Sequence, residues 1–301
     1  MRYNGVYMTI IMGDHVPRME KDVSLSRFST MRVGGIAKTV WFPQTERQAS
    51  FLFRELKNCN CRFIGNGSNV LFADGIIQAP LIYMGQLREI SLNENGVYAS
   101  AGVPLPLLFS RLKHFGFTGG EFLAGIPGTV GGGVLMNAGA FGKCMADVLT
   151  SVRTLEGDIP VENCAFGYRN SKFLKEKTVV LGATFFFPKG DSMESDARLK
   201  RYRTIRQNTQ PLNLPSLGSV FRAENGVPAW EYIHGAGLRG FSIGGAQVSE
   251  KHANFIVNTG NATASDVFSL IQTIKKRVFE KHAVSLKEEI QYIGEFYDSN
   301  C

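Results

Sequence analysis

Short apolar runs alternate along the chain with segments whose apolar residues recur at helical spacing. AKTVWFP (37–43) predicts a strand, and ERQASFLFRELKN (46–58) puts Ala49, Leu52, Phe53 and Leu56 on one helical face. CRFIGNGSNVLFADG (61–75) predicts strand, glycine turn and strand. LIYMGQLREISL (81–92) and GVYASAGV (96–103) predict further strands, LPLLFSRLKHFG (105–116) a helix, and SVRTLEG (151–157) and TVVLGATFFF (178–187) two more strands. ASDVFSLIQTIKKRVFEKH (264–282) aligns Val267, Leu270, Ile271, Ile274 and Val278. VSLKEEIQYIG (284–294) alternates with period two, so Leu286, Glu288, Ile290 and Tyr292 share one face and Lys287, Glu289 and Gln291 the other. Strands and helices without strict βαβ order predict an α+β fold, not a doubly wound sheet.

A chain of 301 residues suggests two or three units. Residues 1–23 read as an extension lying loosely on the surface, and 24–195 as one region with lobes at about 24–80 and 81–195. NTQPLNLPS (208–216), irregular and twice broken by proline, lies near the start of a last unit, 196–301.

Hydrophobic residues at 44% and charged at 20% exclude disordered and fibrous classes. The net charge of +7 favours anionic ligands but is too diffuse to indicate nucleic acid. Its densest run, ARLKRYRTIRQ (197–207), follows Asp191, Glu194 and Asp196, as in a helix acidic at its start and basic at its end. The cysteines at 59, 61, 144, 164 and 301 form no CxxC pair and the histidines no HExxH, which predicts a reducing compartment and no metal. The apolar runs are too short to cross a bilayer, and VYMTIIM (6–12) follows a single Arg2 without a small-residue cleavage site. The expectation is a cytoplasmic protein without membrane insertion, a monomer or weak oligomer.

Residues 124–142, AGIPGTVGGGVLMNAGAFG, join seven glycines to Ile126, Val130, Val134, Leu135, Met136 and Phe141. So much bare backbone in apolar text suits either tight packing or close approach of a ligand rich in acceptor atoms. Gly65, Asn66, Gly67, Ser68 and Asn69 can turn successive N–H groups to one side, a nest for phosphate oxygens. GNGSNV lacks the third glycine of GxGxxG, no GxxxxGK[ST] is present, and GAGLRG (235–240) ends a helix instead of opening one, so a Rossmann reading is disfavoured.

GNGSNVLF, AGIPGTVGGGVLMNAGAFG, YRNS (168–171), GSVF (218–221), GGAQVSEKHANFIVN (244–258) and LKEEIQYIG (286–294) resemble, in order, the UDP-N-acetylenolpyruvoylglucosamine reductase family. The resemblance runs from about residue 24 over nearly the whole chain. It implies a two-lobed FAD-binding region of the vanillyl-alcohol-oxidase type and a smaller α+β substrate domain. It also implies non-covalent FAD, NADPH as co-substrate, and UDP-N-acetylglucosamine enolpyruvate reduced to UDP-N-acetylmuramate for peptidoglycan. Only about thirty residues separate VVLGATFFF from GSVF, as in the shorter form without an extra substrate-closing loop.

By the same resemblance Ser219 is the proton donor, with Arg169 and Glu289 as the other catalytic residues. The FAD bed comprises Gly65, Asn66, Gly67, Ser68, Asn69, Ile126, Pro127, Gly128, Thr129, Gly132, Gly133, Asn137 and Gly139. Substrate contacts fall to Arg222, Asn225, Gln247, Lys251 and His252. Where the family has Asn-Pro after GSxF and a basic residue, this chain has Ala223 and Glu224, and Ala223 cannot hold a diphosphate. Two alternatives stay open: another FAD-dependent oxidoreductase on the same scaffold, and a non-catalytic UDP-sugar or nucleotide binder.

Overall fold

The computed structural model describes residues 2–3, 6–7, 16–93, 96–176 and 178–297. Of VYMTIIM (6–12) only Val6 and Tyr7 are among the described residues, and Cys301 lies outside them.

The first lobe contains strands β1 (Arg18–Ser24) and β2 (Ile36–Phe42), helix α1 (Glu46–Leu56), and strands β3 (Arg62–Ile64), β4 (Val70–Phe72) and β5 (Leu81–Tyr83). Its sheet runs β1-β2-β5-β3, antiparallel between β1 and β2 and parallel thereafter. Residues 18–23, expected to lie loosely on the surface, instead pair with β2 from Arg18↔Phe42 to Ser24↔Ile36. Val23, at 4% exposure, helps to anchor them in the core. Thr45 caps α1 by accepting from Gln48 N, and Ala49 and Leu52 face inward as their spacing predicts.

The second lobe holds β6 (Ile90–Asn93), β7 (Gly96–Ser100), α2 (Leu105–His114), α3 (Val130–Met136), β8 (Leu149–Thr154), β9 (Gly157–Pro160) and β10 (Gly182–Phe185). The sheet order is β9-β8-β10-β7-β6, all antiparallel. Leu105, Leu108, Phe109 and Leu112 of α2 pack with Val130 and Val134 of α3 over this sheet. An ionic cluster joins the lobes: Glu46 of α1 accepts from Tyr98 and lies 3.9 Å from Arg153, which is itself paired with Asp158 at 2.8 Å.

Helix α4 (Ser192–Thr209) leads into β11 (Ser216–Ser219), α5 (Ala229–Gly235), β12 (Ser242–Ile243), β13 (Ala246–Val248), β14 (Phe255–Asn258), α6 (Ala264–His282) and β15 (Gln291–Ile293). The antiparallel sheet β11-β14-β13-β12 is backed by α6. The five residues aligned by sequence on α6 are all fully buried, each contributing about 2 kcal/mol of apolar burial. Only 291–293 of the alternating C-terminal segment form a strand. Residues 286–290 run as irregular chain, bridged to the end of β11 through Phe221↔Glu288.

Two devices fix this last unit to the first lobe. Strand β15 pairs in parallel with β4, Gln291↔Val70 through Ile293↔Phe72. Asp74 accepts from Ala264 N at 2.7 Å and from Ser265 N and Oγ at 2.8 Å, so a first-lobe carboxylate sits at the N-terminus of α6. Asp74→Ala is expected to cost about 1–2 kcal/mol, the usual scale of a lost helix cap. Urea unfolding followed through α6 checks this; an unchanged midpoint contradicts it.

Candidate active site

A cleft of about 1780 Å³ opens between the lobes and the last unit, bordered by both glycine segments, α4, β11 and the chain before β15. Asn66 Nδ2 donates to Pro127 O at 2.7 Å and so joins the two glycine turns. Gly67 takes φ +58°, where a Cβ would stand 1.7 Å from Phe28 O, so only glycine makes this turn. The N–H groups of Asn66, Gly67 and Ser68 meet no acceptor among the described residues.

The second glycine segment divides into packed and open positions. A Cβ on Gly131 would meet Ala101 Cβ at 3.0 Å, one on Gly133 Leu105 Cδ1 at 3.2 Å, and one on Gly139 Lys143 O at 2.4 Å. These glycines let the protein pack against itself. At Gly128 and Gly132 the nearest atoms lie at 3.7 Å, and both positions border the cleft. The free N–H groups of the first turn beside the open backbone of the second fit a dinucleotide whose phosphates need donors and whose flat ring needs close approach.

Arg169, Ser219 and Glu289 all line this cleft. Arg169 sits at φ +52°, an uncommon conformation for a side-chain-bearing residue, and its Nε donates to Glu289 Oε1 at 2.7 Å. The pair is shielded, with 23% of the arginine and 14% of the glutamate side chain exposed. Burial raises the proton affinity of Glu289 above the usual carboxylate range, opposed by the charges of Arg169 and Arg222. Glu289 is fixed by its backbone: its N–H donates to Val220 O at 2.7 Å, and its carbonyl accepts from Asn69 Nδ2 at 3.1 Å. One residue beyond Ser219 and the side chain of Asn69 therefore hold the glutamate between them.

All of the expected FAD-bed residues except Asn137 border the cleft. Asn137 caps α3 at φ +43°, accepts from Ala146 N at 3.0 Å and donates to Gly167 O at 3.0 Å. It braces the loop that carries Arg169. None of Arg222, Asn225, Gln247, Lys251 and His252 borders the cleft. Gln247 donates to Gly240 O at 3.2 Å, and Lys251 Nζ to Gln207 O near the end of α4, where a cation suits the helix dipole. His252 Nδ1 accepts from Asn254 N at 3.3 Å, and burial, aided by Arg239, lowers its proton affinity.

The sequence reading missed the contribution of α4. Leu199, Tyr202, Arg203, Arg206 and Gln210 border the cleft at helical spacing, and Tyr202 stacks on Phe141 with ring centroids 3.9 Å apart. Burial pulls the guanidinium of Arg206 below its ordinary range. The spacing was present in ARLKRYRTIRQ, but a helix polar on all sides gives no sign of which side meets a ligand.

Known proteins share this construction. A family model for an FAD binding domain matches residues 37–191, and one for the C-terminal domain of UDP-N-acetylenolpyruvoylglucosamine reductase matches 210–293. The chain is 40% identical over 279 residues to the UDP-N-acetylenolpyruvoylglucosamine reductase of Carboxydothermus hydrogenoformans, covering 90% of this chain and 92% of that one. It is 40% identical over 287 residues to the enzyme of that name from Parasynechococcus marenigrum, covering 92% and 96%. The crystal structure of the Thermus caldophilus reductase superposes with a TM-score of 0.81 at 31% identity, covering 92% of this chain and all of that one. An α+β fold with a two-lobed FAD-binding region, the cleft beneath it and this likeness over nine-tenths of the chain place the protein in the UDP-N-acetylenolpyruvoylglucosamine reductase family of FAD-dependent oxidoreductases.

Proposed function

We propose that the cleft carries out the NADPH-dependent reduction of UDP-N-acetylglucosamine enolpyruvate to UDP-N-acetylmuramate, with Arg169, Ser219 and Glu289 as its catalytic residues. Residues 24–195 are read as the FAD-binding region and 196–301 as the substrate domain, in a cytoplasmic monomer or weak oligomer. Half-buried, unpaired thiols at Cys59, Cys61 and Cys144 suit a reducing compartment. Among the described residues no helix is long and apolar enough to cross a membrane.

The N–H groups of Asn66, Gly67 and Ser68 would hold the FAD pyrophosphate, and the open backbone at Gly128 and Gly132 would lie against the cofactor. Bound non-covalently, FAD supplies hydride that originates on NADPH and reaches C3 of the enolpyruvyl ether. The substrate then bears negative charge at C2, conjugated with its carboxylate. Arg169 presents a fixed guanidinium fork to that carboxylate, stabilising the charge where it develops. Ser219 gives its hydroxyl proton to C2; positioning compensates for the weak acidity of a serine. Glu289 holds Arg169 by its Nε and leaves the two terminal nitrogens free for the substrate.

The observation that carries this reading is the meeting, in one cleft, of the Arg169–Glu289 ion pair, Ser219 and the unpaired N–H groups of the first glycine turn. Ser219 is needed only after hydride has reached the substrate. In Ser219→Ala, stopped-flow bleaching of the flavin by NADPH should stay near normal while reoxidation by the enolpyruvyl UDP-sugar collapses by about 10²-fold or more, the scale of a lost general acid. Slow bleaching with intact reoxidation contradicts the assignment.

A second prediction concerns pH. Glu289 has its proton affinity raised by burial, so between its unfolded pKa near 4.3 and its higher folded value the native state binds more protons than the unfolded chain. This group therefore lowers stability as pH rises through that window. Glu289→Gln removes the effect, so wild type should lose more thermal stability than the variant as pH rises from about 4 through that window. Parallel curves for the two proteins contradict it.

A further inference from the structure

The glutamate of the site is flanked by a second arginine outside the cleft lining. Arg222 N donates to Lys287 O at 2.9 Å, Glu289 N donates to Val220 O at 2.7 Å, and Phe221 faces Glu288 in an antiparallel bridge. The antiparallel pairing about this isolated bridge puts Arg222 and Glu289 on the same face, away from Phe221 and Glu288, as diagonal neighbours within reach of long side chains.

The charges on these two segments are otherwise matched. Glu288 pairs with Lys275 at 2.8 Å and Glu224 with Lys287 at 3.5 Å. Arg222 makes no ion pair among the described residues, and its buried Nε has no acceptor. A buried guanidinium N–H without a partner needs a reason. Glu289 supplies one: its Oε1 accepts from Arg169, its Oε2 accepts from no group among the described residues, and the charge of Arg222 acts on the carboxylate. Arg169 approaches Glu289 from the 167–170 loop and Arg222 from the end of β11, while Arg206 of α4 borders the same cleft. Two guanidiniums around one carboxylate leave a single positive charge, suited to one incoming carboxylate. With its Nε on Glu289 and its terminal nitrogens on that anion, Arg169 would share one charge between two carboxylates, and with no second cation present the buried Glu289 would take up a proton.

We infer that Arg222 is a positioning residue for Glu289, holding the carboxylate in place and ionised while Arg169 engages the carboxylate of the substrate. This rests on the roles proposed above for Arg169 and Glu289. It replaces the expectation that Arg222 contacts the substrate.

The test uses FAD-loaded wild type, Arg222→Met, Arg222→Lys and Glu289→Gln, with flavin reoxidation by the enolpyruvyl UDP-sugar followed against pH. The pH limb that disappears in Glu289→Gln should move up by about one unit in Arg222→Met, the scale set by loss of a neighbouring cation. Arg222→Lys should restore most of it. The carboxyl carbon of Glu289, titrated by NMR without substrate, should show the same order, a readout independent of turnover. If the Met variant does not load FAD, Arg222→Gln takes its place. A limb and midpoint unmoved in the Met or Gln variant, or moved as far by Lys as by Met, overturn the inference. Wild type that is not reoxidised by the UDP-sugar overturns the proposed function instead, and the NMR titration still decides the part played by Arg222.

Discussion

The site depends on the return of the C-terminal segment to the first lobe. Strand β15 pairs with β4 immediately after the glycine turn 65–69, and Gln291 N donates to Asn69 O at 2.8 Å. A few residues earlier the same segment is pinned to the end of β11, next to Ser219. Glu289 lies between these two attachments and reaches Arg169, which comes from the second lobe. Three parts of the chain, far apart in sequence, are thereby brought to one carboxylate. Without this pairing, the proposed donor, the fork and the glycine turns would belong to separate bodies.

Other contacts support the joint from outside. Asp74 holds the start of α6, and Thr30 Oγ1 donates to Ser216 O at 2.7 Å. Helix α4 is tied to the second lobe by Arg198, which reaches the buried Glu121 at 3.0 Å, and to the last unit by Lys251. A helix so polar finds its stability in such bridging contacts more than in a buried apolar face. Its cleft side then offers Tyr202 and Arg206 beside the glycine segments.

The fold was legible where one period dominated. The α6 face, the α1 face and the strand–turn–strand around 65–69 all follow from spacing. β1 was not foreseen, because an edge strand rich in charge has no apolar run to announce it. The glycine segment was legible as close approach, but not as to what approaches: Gly131, Gly133 and Gly139 serve the protein's own packing, whereas Gly128 and Gly132 face the cleft. The proposed catalytic trio came from family resemblance, since a turn serine, a surface arginine and a strand carboxylate look ordinary singly. Lys251 and His252 sit in a conspicuous motif, yet their polar atoms are used to clamp α4 and to build a turn.

The central claim is that the strand return holds Glu289 in place. Amide hydrogen exchange on the FAD-loaded protein reads it directly. The amides of Glu289 and Gln291, bonded to Val220 O and Asn69 O, should be protected as strongly as those of the β4 strand they brace, and should open together with it. Exchange of these two amides at the rate of free chain, while the three sheets stay protected, would contradict the account.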